Sequence, residues 1–179
     1  MGEDGAMDIT SFKASFSTLL ARLPQYDPLT GEPFDPVRYC KSFAQAPMSL
    51  SEADFPTWII FTGAANYPNP PDQSDDRFAS ETRDFQCRLY VGLAQTGQDG
   101  ERERWCQPYV DPARNLIQSH IQLYAPTLSS PTPGIQRAYL LRDDGIATFQ
   151  FNAPGPVYMG LRFTVRVEAE NKVEYVGNQ

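Results

Sequence analysis

Between residues 85 and 93, Phe85, Cys87, Leu89, Val91 and Leu93 occupy every second position, with Gln86, Arg88, Tyr90 and Gly92 between them. Successive side chains of a strand point to opposite faces, so this period of two predicts a strand with one face against a core. Arg88 and Tyr90 fall on the other face, toward solvent or a partner. Leu161, Phe163, Val165 and Val167 repeat the design, alternating with Arg162, Thr164, Arg166 and Glu168. They predict a second strand of the same sheet. A spacing of three and four appears instead in Ile9, Phe12, Phe16, Leu19, Leu20 and Leu23. That is one apolar helical face, expected to lie on the Phe85 side of the sheet. Asp8 or Thr10 can cap this helix, and Pro24 ends it.

The remaining stretches are placed by local chemistry. Tyr26 to Pro36 is a turn-rich link, and Val37 to Ala44 suits either a short helix or a strand. Phe55 to Phe61 is aromatic and β-branched, a strand that Pro56 confines to a start or an edge. Gly63 to Glu81 holds few apolar side chains, with prolines and aspartates at its centre, and is expected to be a long loop inserted between strands. Gln95 to Gly100 predicts a turn. Asp111-Pro112 predicts a helix start, followed by a stripe of Val110, Ala113, Ile117, His120, Ile121 and Tyr124, with Pro126 as its end. Glu101 to Tyr109 is a preceding helical turn or an approach loop. Leu128 to Gly134 is expected to be loop. Asp143-Asp144-Gly145 predicts a hairpin between strands 135–142 and 146–151. Asn152 to Pro156 is a further turn before the last strand, Tyr158 to Glu168. The sum is an α+β fold: a single mixed, mostly antiparallel β-sheet with two main helices on one face and a long inserted loop. Its expected extent is one domain over 1–179, with a flexible leader 1–7 and a polar tail 170–179.

Composition narrows the function classes. At 179 residues, roughly 70% of the unfolded surface can be buried. A formal charge of −7 argues against a general nucleic-acid binder but suits a passage through which DNA slides without sticking. The three cysteines, Cys40, Cys87 and Cys106, form no CxxC pair, which points to synthesis in a reducing cytoplasm. No apolar run approaches the ~20 residues that span a bilayer. His120 is the one histidine. No metal-ligand spacing, phosphate loop or nucleophile elbow accompanies it, and no cofactor is expected. A Cys106–His120 thiol pair is the single catalytic arrangement the residue types allow, and a structural role for both is favoured over it. The Asp75-Asp76 and Asp143-Asp144 pairs read as solvated turns, and 101–104 as a charged helix face or subunit contact.

The order of features resembles a known family. An amphipathic helix ends in Leu-Leu-Ala-Arg-Leu-Pro, and a strand opens with Phe55-Pro56. A long excursion, the alternating strand 85–93, Val110-Asp111-Pro112 leading to His120, and Tyr158-Met159-Gly160-Leu161-Arg162-Phe163 follow. From Ile9 to Val167 this is similar to the tail terminator proteins of long-tailed bacteriophages, the group that includes the minor tail protein U of phage lambda. The resemblance implies a non-enzymatic virion protein assembled in the host bacterial cytoplasm. It would form a homo-oligomeric ring, a hexamer, that caps the head-proximal end of the tail tube. Its implied partners are copies of itself, the tail tube protein and the head-completion or connector protein, with DNA crossing the lumen unbound and no membrane involved. Loops and sheet edges would carry the contacts, through Arg77 and Phe78 in the loop, Arg102 and Arg104 in the charge run, and Arg142 at the hairpin. The alternatives are another neck protein, or a small hydrolase or ligand-binding domain built on Cys106 or His120.

Overall fold

A computed structural model describes residues 8–67, 78–94, 99–124, 135–151 and 153–172. Helix α1 (Ile9–Leu20) is capped by Asp8, whose carboxylate accepts from the Ser11 backbone N–H at 2.9 Å. The ambiguous stretch 37–44 contains a short strand, β1 (Lys41–Phe43). A one-turn 3-10 helix (Glu52–Asp54) leads into β2 (Thr57–Asn66) and β3 (Phe78–Leu93). Helix α2 (Asp99–Tyr124) follows, then β4 (Ile135–Gln150) and β5 (Val157–Lys172). The five strands form one mixed sheet in the order β1-β2-β3-β5-β4, with only β1 and β2 parallel to each other as neighbours. This is the expected α+β plan.

Both helices pack on the Phe85 face. Phe12 and Phe16 of α1 are fully buried, and the Phe12 ring lies 4.8 Å from that of Phe85. Cys106, Tyr109, Ala113 and Ile117 of α2 join the same core with Phe163, Val165 and Val167 of β5. Gly160 lets β5 approach β3: a Cβ there would sit 1.7 Å from the Leu89 carbonyl oxygen.

Several boundaries differ from expectation. Gly63–Asn66 continue β2 and Phe78–Glu81 belong to β3, so both ends of the expected 63–81 loop are strand; Tyr67 follows β2 without regular structure, and 68–77 lie outside the described residues. The continuation is built on a bulge at Thr62/Ala65, where Gly63 permits a close approach to the Asp84 carbonyl. Glu81 is buried and accepts from Arg83 at 2.7 Å, an ion pair that explains its place in a strand. Asp99 and Gly100 start α2 rather than closing a turn, and residues 95–98 are outside the described set. Asp111-Pro112 starts nothing: α2 runs through Pro108 and Pro112, because its buried stripe keeps a helical period across both. The side chains expected to extend that stripe, His120, Ile121 and Tyr124, lie outside the described set, although their backbone is helical.

Asp143-Asp144-Gly145 closes no hairpin. β4 continues through it as a bulge, in which Gly145 takes the positive φ of 67° that an Asp-Gly hairpin also needs. The β4–β5 connection falls between Gln150 and Val157, where a turn was expected; Asn152 lies outside the described residues. Glu170–Lys172 extend β5, and what is left of the polar tail, like the leader 1–7 and the loop 128–134, falls outside the described residues. Tyr90 is not solvated. With Ile59, Phe149 and Tyr158 it forms a second small cluster on the face away from the helices. No helix among the described residues is long and apolar enough to cross a membrane.

Candidate functional site

The sheet face opposite the helices carries a dense array of charged side chains. Alternation puts Asp84, Gln86 and Arg88 of β3 on this face, opposite Arg166, Thr164 and Arg162 of β5. The register of β4 adds Arg137 opposite Glu168 and Arg142 opposite Thr164. Among the described side chains, five arginines thus face three carboxylates, Asp84, Asp144 and Glu168, an excess of two positive charges in a chain of net charge −7.

Fixed contacts hold this array. Arg166 forks onto both carboxylate oxygens of Asp84, at 2.8 and 3.0 Å. The Asp84 hydrogen bond and charge raise the Arg166 pKa, keeping it charged. Arg88 and Arg162 stand directly opposite each other, a like-charge pairing that ordinarily destabilises a sheet. Each is compensated separately. Arg88 donates to Gln86 Oε1 at 2.6 Å and lies over the rings of Phe61 and Phe149, at 4.5 and 5.2 Å. Arg162 donates to Asp144 Oδ2 at 2.8 Å, while Asp144 Oδ1 lies 2.8 Å from Arg142. Strand alternation sends the adjacent carboxylates to opposite faces. Asp143 takes Arg114 of α2 at 2.6 Å on the helix side, and Asp144 joins the open face. The aspartate pair is therefore a structural anchor, not a solvated turn. Arg142 is the most exposed of the paired arginines on this face, its side chain 63% accessible. Such a surface can take carboxylates of a partner through guanidinium forks.

The sequence-predicted contacts are not brought together. Arg77 lies outside the described residues. Phe78 sits at the first position of β3, in register with Lys172, rather than in a loop. Arg102 and Arg104 are on α2, near the other end of β3; Arg104 donates to the Pro28 carbonyl at 3.3 Å. Arg142 occupies the open face at the bulge instead of a hairpin tip. Arg88, Arg137, Arg162 and Arg166 were missing from the expected set. Alternation marked three of them as facing away from the core, but only a continuous β4 aligns Arg137 and Arg142 beside them.

The thiol–imidazole pair is excluded by geometry. Cys106 and His120 are fourteen residues apart on one continuous helix, about 21 Å along its axis. Cys106 is also fully buried, which pushes its thiol up to about 12. Among the described residues no group of His, Cys, Asp or Glu side chains could hold a metal ion. Compared with known proteins, the chain matches no family model and no curated protein.

Proposed function

We propose that this chain is a structural subunit of the tail terminator type. Copies close into a six-fold ring at the head-proximal end of a phage tail tube, halt tube growth and present a surface to the head connector. Its place is then the neck of the virion, and its role is docking rather than catalysis.

The observation that carries the reading is the division of charge between surfaces. The open sheet face holds an excess of two positive charges, whereas the other described residues hold an excess of four negative charges. Unlike surfaces on one molecule attract head to tail, and such heterologous contacts close into a ring when the rotation between copies is a whole fraction of a turn without rise. Strand-to-strand continuation is the weaker route. The long edge strand β4 has register irregularities at three places, and exposed Gln136, Arg137 and Arg142 along it, devices that blunt an edge. A ring whose two rims differ caps a tube by offering no further docking surface for a tube subunit.

The test is assembly of purified tube subunits with and without this protein. Tubes that stop growing and carry a ring at one end support the reading; unlimited growth in its presence overturns it. Binding to the connector but never to tube would assign the protein to another position in the neck.

A further inference from the structure

Where the C-terminal end of β3 meets the first half of α2 and the link 24–36, a cavity of about 430 Å³ opens to solvent. Its walls are the rings of Tyr26, Phe34, Phe55, Trp105 and Tyr109. Part of the wall is preset. Tyr26 and Tyr109 meet edge to face at 5.1 Å, and the Tyr109 hydroxyl accepts from the Tyr26 backbone N–H at 3.0 Å. Trp105, by contrast, stands 41% exposed. Two exposed carboxylates, Glu52 and Glu101, also line the cavity. Among the described residues, neither side chain takes part in a hydrogen bond or ion pair. Among the described residues no basic side chain lines the cavity, and the nearby Arg104 and Arg38 are engaged, on the Pro28 carbonyl and over the Phe34 ring at 5.2 Å.

We propose that this pocket receives an arginine- or lysine-bearing segment of a partner protein, with the cationic head among the rings and carboxylates. Aromatic faces attract a cation through their quadrupole, and carboxylates add charge-assisted hydrogen bonds. The charge complementarity is one-sided, which selects a cation over a neutral or acidic occupant. The same end of the molecule also leaves Leu93 37% and Val157 39% exposed, and Leu93 lines the cavity. That apolar footing suits the residues flanking the cation in a polypeptide and would stay uncovered under a free small cation. The pocket is independent of the ring: failure to cap tubes would leave peptide binding at Trp105 untouched.

Trp105 reports occupancy directly, since the other tryptophan, Trp58, is fully buried. A short peptide with a single central arginine between apolar residues is titrated against the full chain. The expected result is a saturable change in Trp105 emission with a Kd of about 0.1–1 mM. Replacing arginine by citrulline, or pairing Glu52→Gln with Glu101→Gln, should weaken binding by about tenfold or more. Glu101→Gln alone serves if the double variant loses its circular dichroism signature. Equal binding of the citrulline peptide, or no effect of the carboxylate changes, overturns the proposal. Ethylguanidinium binding as tightly as the peptide would make this a small-cation site and overturn the partner assignment. So would self-association in sedimentation that Trp105→Ala abolishes, which would assign the pocket to a second copy.

Discussion

At the scale of single residues, close backbone approach and burial set the sharpest expectations. Gly160 is in register with Tyr90, and any Cβ there would collide with the Leu89 carbonyl, a backbone atom that cannot swing away. Gly160→Ala should therefore cost about 3 kcal/mol or more, read as a lower urea midpoint. Gly100 has open space around it on a helix, so Gly100→Ala should instead stabilise by about 0.5 kcal/mol. The cysteines give an independent check of the core. Cys40 and Cys106 are buried, with thiols pushed up to about 12, and Cys87 is fully inaccessible and raised as well. None should react with a thiol reagent at pH 8 in the native protein, and all three should react at the rate of unfolding. Asp54 sets an acid-side expectation. The Ser51 backbone and hydroxyl, then Lys41, hold its carboxyl down at about 2 from a usual 3.8. A depressed carboxylate stabilises the fold above its unfolded pKa and loses that contribution as pH falls through the folded one. Asp54→Asn should thus remove a stability change confined to roughly pH 4 to 2, seen by comparing urea midpoints across that range.

At the scale of elements, the chain contains features that local chemistry alone misreads. Pro112 deprives α2 of one backbone hydrogen bond and sets its ring against the preceding turn, an arrangement costing about 3 kcal/mol in a helix interior. The helix survives because Cys106, Tyr109, Ala113 and Ile117 bury one continuous stripe. Pro112→Ala should accordingly raise stability by about 1–2 kcal/mol, after allowing for the added freedom of the unfolded chain, and calorimetry would register a higher Tm. Period was the more reliable guide throughout. The strands around Phe85 and Phe163, and the helix carrying Phe12 and Phe16, were legible because each buries a single face. Punctuation by Pro, Asp and Gly was not, since the same residues serve turns, helix starts and bulges. Asp-Gly specifies a positive φ, not which structure uses it, and only the pairing of β4 with β5, from Ile135 with Ala169 to Gln150 with Val157, reveals that β4 runs on through it. The open-face arginines were hidden for the same reason: their alignment is a property of register between distant strands.

At the scale of the whole molecule, the distribution of charge separates two ways of assembling. If copies dock through the open arginine face onto the acidic remainder, attraction acts across a solvent-accessible seam and is screened as salt rises. The screening length falls from about 10 Å at 0.1 M to about 3 Å at 1 M ionic strength, so ring association should weaken steeply over that range. If apolar contacts dominate, through exposed Leu141 on β4 for example, added salt should leave association unchanged or strengthen it. Arg142 discriminates further. Its guanidinium is the most accessible of those paired on the open face, and its partner Asp144 stays neutralised by Arg162 when it is removed. Arg142→Glu should then leave the fold intact while reversing a charge at the seam, lowering association about tenfold or more at low salt and by less at high salt. Sedimentation velocity across a salt series, on the native chain and this variant, measures both. Association that is indifferent to salt and to Arg142→Glu would move the contact off the open face, and leave the ring reading to rest on the capping of tubes alone.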